Sequence, residues 1–169
     1  MRPEPRLTLV CGLPGAGKTT LAKQLATEIP AVRLCPDEWM TGLGLDLFDG
    51  GARDRLEALL WDHTQQLLKL GHNVILEFGF WERDERDAKR LAARALGASV
   101  ELRYLAVPVD ELFRRVTARY QDSPSGTVSI SRELLEAQAR DFEAPGPDER
   151  ALFDEHDGPQ PRPQPRPQP

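Results

Sequence analysis

Residues 12–19 read Gly-Leu-Pro-Gly-Ala-Gly-Lys-Thr, and this stretch decides the fold of the 169-residue chain. It fits the pattern of a glycine, four residues and then Gly-Lys-Ser/Thr without an exception. Residues 6–11 ahead of it are an apolar run that predicts a buried strand, and residues 20–26 behind it carry leucines at helical spacing. Such a strand, turn and helix aim backbone N–H groups and the positive end of the helix at an anion. The stretch therefore predicts a phosphate-binding loop.

Two side chains of this loop have expected roles in holding a nucleoside triphosphate. Lys18 is expected to reach the β- and γ-phosphates, and the hydroxyl of Thr19 is expected to bind Mg²⁺. The predicted cofactors are therefore ATP and Mg²⁺. The other residues predicted to surround the phosphates are Gly12, Leu13, Pro14, Gly15, Ala16, Gly17 and Thr20.

Composition narrows the class of protein. The formal net charge of −5 argues against a dedicated nucleic-acid binder, because such proteins rely on clustered positive charge. The two cysteines, Cys11 and Cys35, lie in apolar runs, which predicts buried free thiols in a reducing compartment. No stretch resembles a signal peptide or a membrane span. We therefore expect a cytoplasmic protein without a membrane partner.

The rest of the chain alternates predicted strands and helices. Strands are predicted at 31–36, 73–78 and 100–107, and helices at 53–70, 82–96, 109–120 and 131–142. Residues 41–50 are expected to be irregular, and a fifth strand could start near 151–153. This order predicts an α/β protein with the three-layer P-loop NTPase fold: a mostly parallel sheet of four to five strands, with helices on both faces.

One domain is expected over residues 1–157, and a small lid at about 115–131. The lid is predicted because residues 121–130 are polar and contain Pro124 and Gly126. Residues 158–169 alternate proline with glutamine and arginine, a composition that predicts a disordered, polyproline-like tail. Both a partner-binding tail and an inert extension fit this composition, and the sequence does not determine the oligomeric state.

Four classes of protein use such a loop: GTPase switches, ATPase motors, kinases and binding-only folds. Guanine recognition normally requires Asn/Thr-Lys-x-Asp, and no lysine of this chain follows Asn or Thr. Motor ATPases carry Asp-Glu at the end of the Walker B strand, whereas the third predicted strand here ends Leu76-Glu77-Phe78. These differences favour a kinase.

Two carboxylates at the ends of predicted strands are candidates for the chemistry. Asp37 follows the second strand, beside the phosphate loop in a doubly wound sheet, where it could take the proton of an acceptor hydroxyl. Its alternative role is that of a helix cap after Pro36. Glu77 ends the third strand and could hold Mg²⁺ directly or through a water.

Two arginines are candidates for a phosphate clamp. Arg115 and Arg119 lie four residues apart, so they share one face of the helix that leads into the lid, while Arg114 lies on another face. Closing the lid would bring the pair over the β- and γ-phosphates and exclude water. Solvated arginines on an amphipathic helix are the alternative.

The candidates for contact with the acceptor are less specific. Phe80 and Trp81 follow the third strand and could stack on a substrate ring or pack beneath the next helix. Arg83 and Arg86 begin that helix with the spacing of ordinary surface ion pairs. His63 fits a packed residue better than a catalytic one, because it falls on the predicted apolar stripe of its helix with Leu56, Leu59, Leu60, Leu67 and Leu70.

With these residues placed, residues 6–145 resemble the small P-loop kinases of the polynucleotide-kinase-like, chloramphenicol-phosphotransferase-like and zeta-toxin-like group. The resemblance rests on the phosphate loop, on Asp37, on the third strand running into residues 78–81, and on residues 111–119 before the lid. It implies that Asp37 is the general base and that Arg115 and Arg119 clamp the phosphates.

The chain departs from the polynucleotide kinases at two places. Those enzymes hold the nucleic-acid phosphate with an arginine three residues after the base. This chain has Met40 there, which is a candidate contact with the acceptor, and residues 79–81 replace their asparagine-bearing segment. The departures favour a small, partly apolar acceptor. The expected function is ATP-dependent phosphorylation of a hydroxyl on a metabolite, nucleoside or antibiotic. A kinase of polynucleotide ends or nucleotide sugars, including a toxin, and an ATP-binding regulatory module remain alternatives.

Overall fold

Four parallel strands form the sheet at the centre of the computed structural model, which describes residues 4–123 and 129–155. The strands are β1 (Arg6–Cys11), β2 (Ala31–Leu34), β3 (Asn73–Gly79) and β4 (Ser99–Tyr104), in the order β2-β3-β1-β4. The central strands β1 and β3 are largely buried because helices cover both faces of the sheet. The predicted α/β fold is confirmed.

Seven helices are described: α1 (Lys18–Glu28), α2 (Pro36–Gly42), α3 (Gly50–Lys69), α4 (Arg83–Ala95), α5 (Val109–Asp122), α6 (Arg132–Asp141) and α7 (Pro147–Arg150). Helix α1 packs on one face of the sheet through Ala22 and Leu25, which contact Val10 and Ile75. The larger core on the other face includes residues of α2, α3 and α4. None of the described helices combines the length and the apolar character that a membrane crossing needs.

The predicted fifth strand is wrong for the described residues. Residues 151–153 form a turn after α7, and only Asp154 pairs with the open edge of β4. Its backbone N–H donates to the carbonyl of Val100 over 2.8 Å, and its carboxylate accepts from the Val100 N–H over 2.7 Å. Asp154 alone therefore satisfies both the N–H and the carbonyl of Val100 at this edge, without a fifth strand.

The region after β2 is more helical than predicted. The strand ends at Leu34, because Pro36 occupies the first turn of α2, a position that suits a residue without a backbone N–H. The predicted irregular segment at 41–50 therefore begins inside a helix. Of the lid predicted at about 115–131, residues 124–128 lie outside the described residues, as does the predicted tail at 158–169.

The buried face of α3 also differs in part from the predicted stripe. Leu59, His63 and Leu70 are exposed, and Thr64 is buried instead. Thr64 tolerates the core because its hydroxyl donates to the Leu60 carbonyl over 2.8 Å. The buried residues of α3 repeat every four positions: Ala52, Leu56, Leu60, Thr64 and Leu68.

Candidate active site

The phosphate loop joins β1 to α1, and two of its glycines, Gly12 and Gly15, have little room for a side chain. Gly15 has φ +82°, and a Cβ there would lie 2.8 Å from Val116 Cγ1 and 3.1 Å from the Leu112 carbonyl oxygen. Gly12 donates its N–H to the Gly79 carbonyl over 3.0 Å, which ties the loop to the end of β3. The glycines therefore allow α5 and β3 to pack close against the loop.

Lys18 is the first residue of α1, directly after the glycines of the phosphate loop. Its ammonium donates to the carbonyls of Gly12 and Leu13 over 2.9 and 3.0 Å. Burial lowers the pKa of Lys18, whereas the charges of Asp37 and Glu77 raise it. The structure thus brings the predicted base and the predicted metal ligand into electrostatic range of the lysine.

Thr19 and Glu77 form a pair that could hold a hard cation. The Thr19 hydroxyl donates to Glu77 Oε1 over 2.7 Å, so its lone pairs stay open to a cation. A hydroxyl and a carboxylate are ligands that suit Mg²⁺, which keeps several waters or phosphate oxygens in its shell. The described residues contain no cluster of three or more His, Cys, Asp or Glu able to hold a metal.

Arg33, which the sequence analysis missed, holds the other oxygen of Glu77. Its Nη1 contacts Glu77 Oε2, and its Nη2 lies 2.6 Å from Glu38 Oε2. Burial lowers the pKa of Arg33, but hydrogen bonds to the two carboxylates raise it by a larger amount. The net shift of the pKa is therefore upward. A usable sequence signal did exist, because the charged Arg33 interrupts an apolar run. In the structure Arg33 pairs in register with Ile75, two residues before Glu77.

Asp37 lies in the first turn of α2 rather than at the end of a strand. Its side chain is 64% exposed, and its Oδ1 accepts from Arg53 Nη2 over 2.5 Å. Arg53 Nη1 also lies 3.7 Å from Glu57 Oε1 on α3. The carboxylate is thus accessible to an acceptor and oriented by an arginine that sequence reasoning missed.

The predicted clamp arginines lie on α5. Arg115 donates through Nε to Glu111 Oε1 over 2.7 Å, and its Nη1 lies 3.4 Å from the Gly15 carbonyl oxygen. The charge of Arg119 acts on Lys18 and lowers its pKa. Arg114 is exposed and pairs with Glu111 over 2.6 Å. The structure thus places Arg115 beside the loop and Arg119 within electrostatic range of it.

Two of the proposed acceptor contacts need correction. Met40 and Phe80 are fully buried in the core, so neither offers a surface to an acceptor. Phe80 has φ +53° and its ring stacks on Phe78 with centroids 5.5 Å apart. This backbone turn directs the Phe80 carbonyl to the side chains of Arg86 and Cys11, which fixes the ring inward.

The other three candidates are at least partly exposed. Trp81 is half-buried against Phe142, edge to face with centroids 6.4 Å apart. Arg83 is exposed, and its backbone N–H donates to Glu143 Oε2 over 3.0 Å. His63 is exposed on α3 and does not pack in the core, contrary to the predicted stripe. Trp81 and Arg83 therefore remain candidate contacts beside the end of β3.

Arg86 does not form the expected surface pair. Its side chain is fully buried and binds Glu149 through two hydrogen bonds of 2.5 and 2.9 Å. It also donates to the carbonyls of Phe80 and Glu143 over 2.7 and 2.8 Å. One arginine therefore joins the segment after β3 to α7 and to the residues after α6. No local spacing predicts this pair, because Glu149 is 63 positions away.

A family model described as "AAA domain" matches residues 7–145. Proteins from Mycobacterium bovis and Mycobacterium tuberculosis, both named as uncharacterised, are 32% identical over 167 residues that cover 87% of this chain. The chain spans 33% of the length of these relatives, so it corresponds to one part of a longer protein in each of them.

Solved structures share the fold at low sequence identity. A putative kinase from Chloroflexus aurantiacus has a TM-score of 0.68 at 22% identity, over 84% of this chain and 82% of that one. A gluconokinase from Sinorhizobium meliloti scores 0.58 at 19%, over 85% and 78%. A chain of the Pnkp1/Rnl/Hen1 RNA repair complex scores 0.66 at 22%, over 82% and 44%. The expected resemblance to small P-loop kinases is thus confirmed at the level of the fold.

Proposed function

We propose that this chain, which belongs to the AAA domain family, is an ATP-dependent phosphotransferase that phosphorylates a hydroxyl of a small molecule. One observation carries the proposal: Thr19, next to Lys18 in the phosphate loop, donates to Glu77 over 2.7 Å, and the charges of Glu77 and Asp37 both act on Lys18. A general base, a metal-side carboxylate and a phosphate-binding lysine at one site are the parts that phosphoryl transfer to an alcohol requires.

On the donor side, the loop amides and Lys18 bind the β- and γ-phosphates of ATP. Lys18 contacts only neutral carbonyls within hydrogen-bond distance among the described residues, so its charge is available to an anion. Thr19 and Glu77 would hold Mg²⁺, which neutralises the developing negative charge when it is bound. These groups fix the γ-phosphorus for attack from the acceptor side.

On the acceptor side, Asp37 takes the proton of the attacking hydroxyl. The acceptor oxygen forms a bond to the γ-phosphorus, the bond from that phosphorus to the β–γ bridging oxygen breaks, and ADP leaves with the electron pair. Arg53 holds Asp37 through Oδ1, which leaves Oδ2 to accept from the acceptor hydroxyl. Because Asp37 is largely exposed, the acceptor itself would exclude water from the carboxylate.

The arginines of α5 serve as the clamp in this proposal. Arg115 lies close to the Gly15 carbonyl oxygen, and Arg119 lies in electrostatic range of Lys18. Positive groups on this side would offset charge on the transferring phosphoryl group, as lid and finger arginines do in other phosphoryl-transfer enzymes. The hydrogen bond from Arg115 to Glu111 keeps the Arg115 guanidinium in place before a nucleotide binds.

A small acceptor fits the charges around Asp37 better than a polynucleotide does. Position 40 holds a fully buried methionine, so it offers no cation to a nucleic-acid phosphate. The overall charge of −5 also repels a polyanion. The fold similarity to a chain of an RNA repair complex keeps a polynucleotide-end kinase as the second candidate.

The proposal is tested by screening metabolites, nucleosides and antibiotics for ATP-dependent addition of a phosphoryl group, read by mass spectrometry, with ADP release measured in parallel. We expect ADP release to depend on a particular acceptor. Release that no acceptor changes would instead indicate a regulatory module that hydrolyses ATP slowly.

The base is tested with Asp37→Asn, which we expect to lower turnover about 100-fold or more with ATP binding unchanged. Asp148→Asn is the matched control, because Asp148 also follows a proline in the first turn of a helix but lies on α7. Full acceptor-dependent turnover in Asp37→Asn would rule out the base assignment.

A further inference from the structure

Arg33 links the two sides of the candidate site. It lies on β2, with 17% of its side chain exposed, and its guanidinium contacts one carboxylate from β3 and one from α2. Glu77 is the metal-side carboxylate, and Glu38 is adjacent to Asp37 in the first turn of α2. Each arm of the guanidinium holds one of these groups, so both depend on the same residue.

The pair with Arg33 changes what Glu77 can attract. The Glu77 side chain is only 2% exposed, and a carboxylate so poorly hydrated would draw a cation strongly if nothing offset its charge. Arg33 supplies that positive charge and occupies Oε2, while Oε1 accepts from Thr19. Arg33 shares its charge with Glu38, but Lys23 Nζ lies 3.9 Å from Glu38 Oε1, so two cations balance the two carboxylates. Before a nucleotide binds, the charge of Glu77 is therefore compensated, and neither of its oxygens lacks a partner.

We propose that Arg33 is a positioning residue that makes metal binding at Thr19 and Glu77 conditional on the nucleotide. By neutralising Glu77, it leaves free Mg²⁺ with little net attraction to the site. Once a nucleotide is bound, its phosphates supply the missing negative charge and further oxygen ligands. The inference rests on the proposed function only in that the loop binds a nucleotide with its metal, and it does not depend on any acceptor.

The test measures Mn²⁺ binding, by loss of the free-ion electron paramagnetic resonance signal, with and without ADP. Because ADP itself chelates Mn²⁺, the loss that ADP alone causes is measured in protein-free samples and subtracted. For the unaltered protein we expect no saturation up to about 1 mM Mn²⁺ alone and much tighter binding with ADP. Arg33→Gln removes the charge, and we expect its nucleotide-free Mn²⁺ dissociation constant to fall at least about tenfold. Arg33→Lys keeps the charge and should stay within about threefold of the unaltered protein.

Two further variants separate this role from a general effect on stability. Arg6→Gln is the matched control, because Arg6 also pairs with a buried carboxylate, Glu101, over 3.0 Å, but from the first residue of β1, before the strand reaches the phosphate loop. We expect no change in its Mn²⁺ binding. Adding Glu77→Gln to Arg33→Gln should abolish the gain, since the carboxylate that attracts the ion is then absent.

Three results would overturn the inference. They are tight nucleotide-free Mn²⁺ binding by the unaltered protein, no gain in a folded Arg33→Gln, and an equal gain in Arg33→Lys. The first needs no variant, so the inference stays testable if Arg33→Gln does not fold. If the screen described above finds no phosphorylated acceptor, that result contradicts the kinase proposal. It leaves these metal measurements unaffected.

Discussion

Replacing Arg86 tests whether the buried ion pair with Glu149 holds the end of the domain in place. Arg86→Met keeps a side chain of similar apolar volume and leaves the carboxylate of Glu149, 3% exposed, without its partner. Removing one member of a buried pair costs about 3–5 kcal/mol, because the remaining charge stays desolvated. The carbonyls of Phe80 and Glu143 also lose a donor. We therefore expect the free energy of unfolding to fall by at least about 4 kcal/mol.

The matched control is Arg94→Met on the same helix. Arg94 pairs with Asp154 over 3.1 Å, but both side chains are about two-fifths exposed. Exposed pairs contribute about 0–1 kcal/mol, so this substitution should cost little. Urea unfolding at 25 °C, followed by circular dichroism and tryptophan fluorescence, gives both values under the same conditions.

A double variant separates the ion pair from the loss of volume. Arg86→Met combined with Glu149→Leu removes both charges, so no buried carboxylate is left without a partner. Apolar replacements of buried pairs are often neutral, and we expect the double variant to be at least about 2 kcal/mol more stable than Arg86→Met alone. The reasoning is refuted if Arg86→Met costs no more than Arg94→Met, or if the second substitution destabilises the protein further.

Two further predictions concern Glu57 and the phosphate loop. Burial and the charge of Glu85 raise the pKa of Glu57 to about 7, so folding favours its protonated form and stability falls as the pH rises through 7. Glu57→Gln should therefore be about 1–3 kcal/mol more stable than the unaltered protein at pH 8 and equal to it below pH 4.5, in urea unfolding; a pH-independent difference contradicts this. Gly15→Ala should weaken binding of a fluorescent ATP analogue at least about tenfold, because its Cβ meets Val116 at a left-handed φ; Gly44→Ala, at a left-handed φ but in open space, controls for backbone strain and should leave binding unchanged.

The parts predicted from sequence were those that depend on local pattern. The glycines and Lys18 of the phosphate loop follow each other directly, so their spacing alone predicts the strand, loop and helix. The apolar runs around Leu9 and Ile75 predict parallel strands because both faces of such strands are buried. The position of Asp37 near the loop could be predicted because β2 and β1, the strand before the loop, end at the same edge of the sheet.

The ion pairs of the site were not predicted, because their partners are distant in sequence. Arg33 meets Glu77 across 44 positions, and Arg86 meets Glu149 across 63. No local periodicity specifies which carboxylate an arginine reaches, since strand register and helix packing decide it. The inward orientation of Phe80 could not be predicted from the sequence for a similar reason. A positive φ is uncommon at a phenylalanine, and contacts with distant residues hold it here.

The charges of the site together explain why it would bind the nucleotide before the metal. Glu77 and Asp37 each have an arginine partner, Arg33 and Arg53. Glu38, which shares Arg33, also lies 3.9 Å from Lys23, so these three carboxylates present little uncompensated negative charge. Lys18 instead contacts two neutral carbonyl oxygens, so its positive charge remains available to an anion. In the proposed order, a triphosphate would therefore be attracted first, and its own charge would then make the Thr19 and Glu77 position favourable for Mg²⁺. This order follows from which groups are paired in the folded chain, and it would be lost if Arg33 no longer held Glu77.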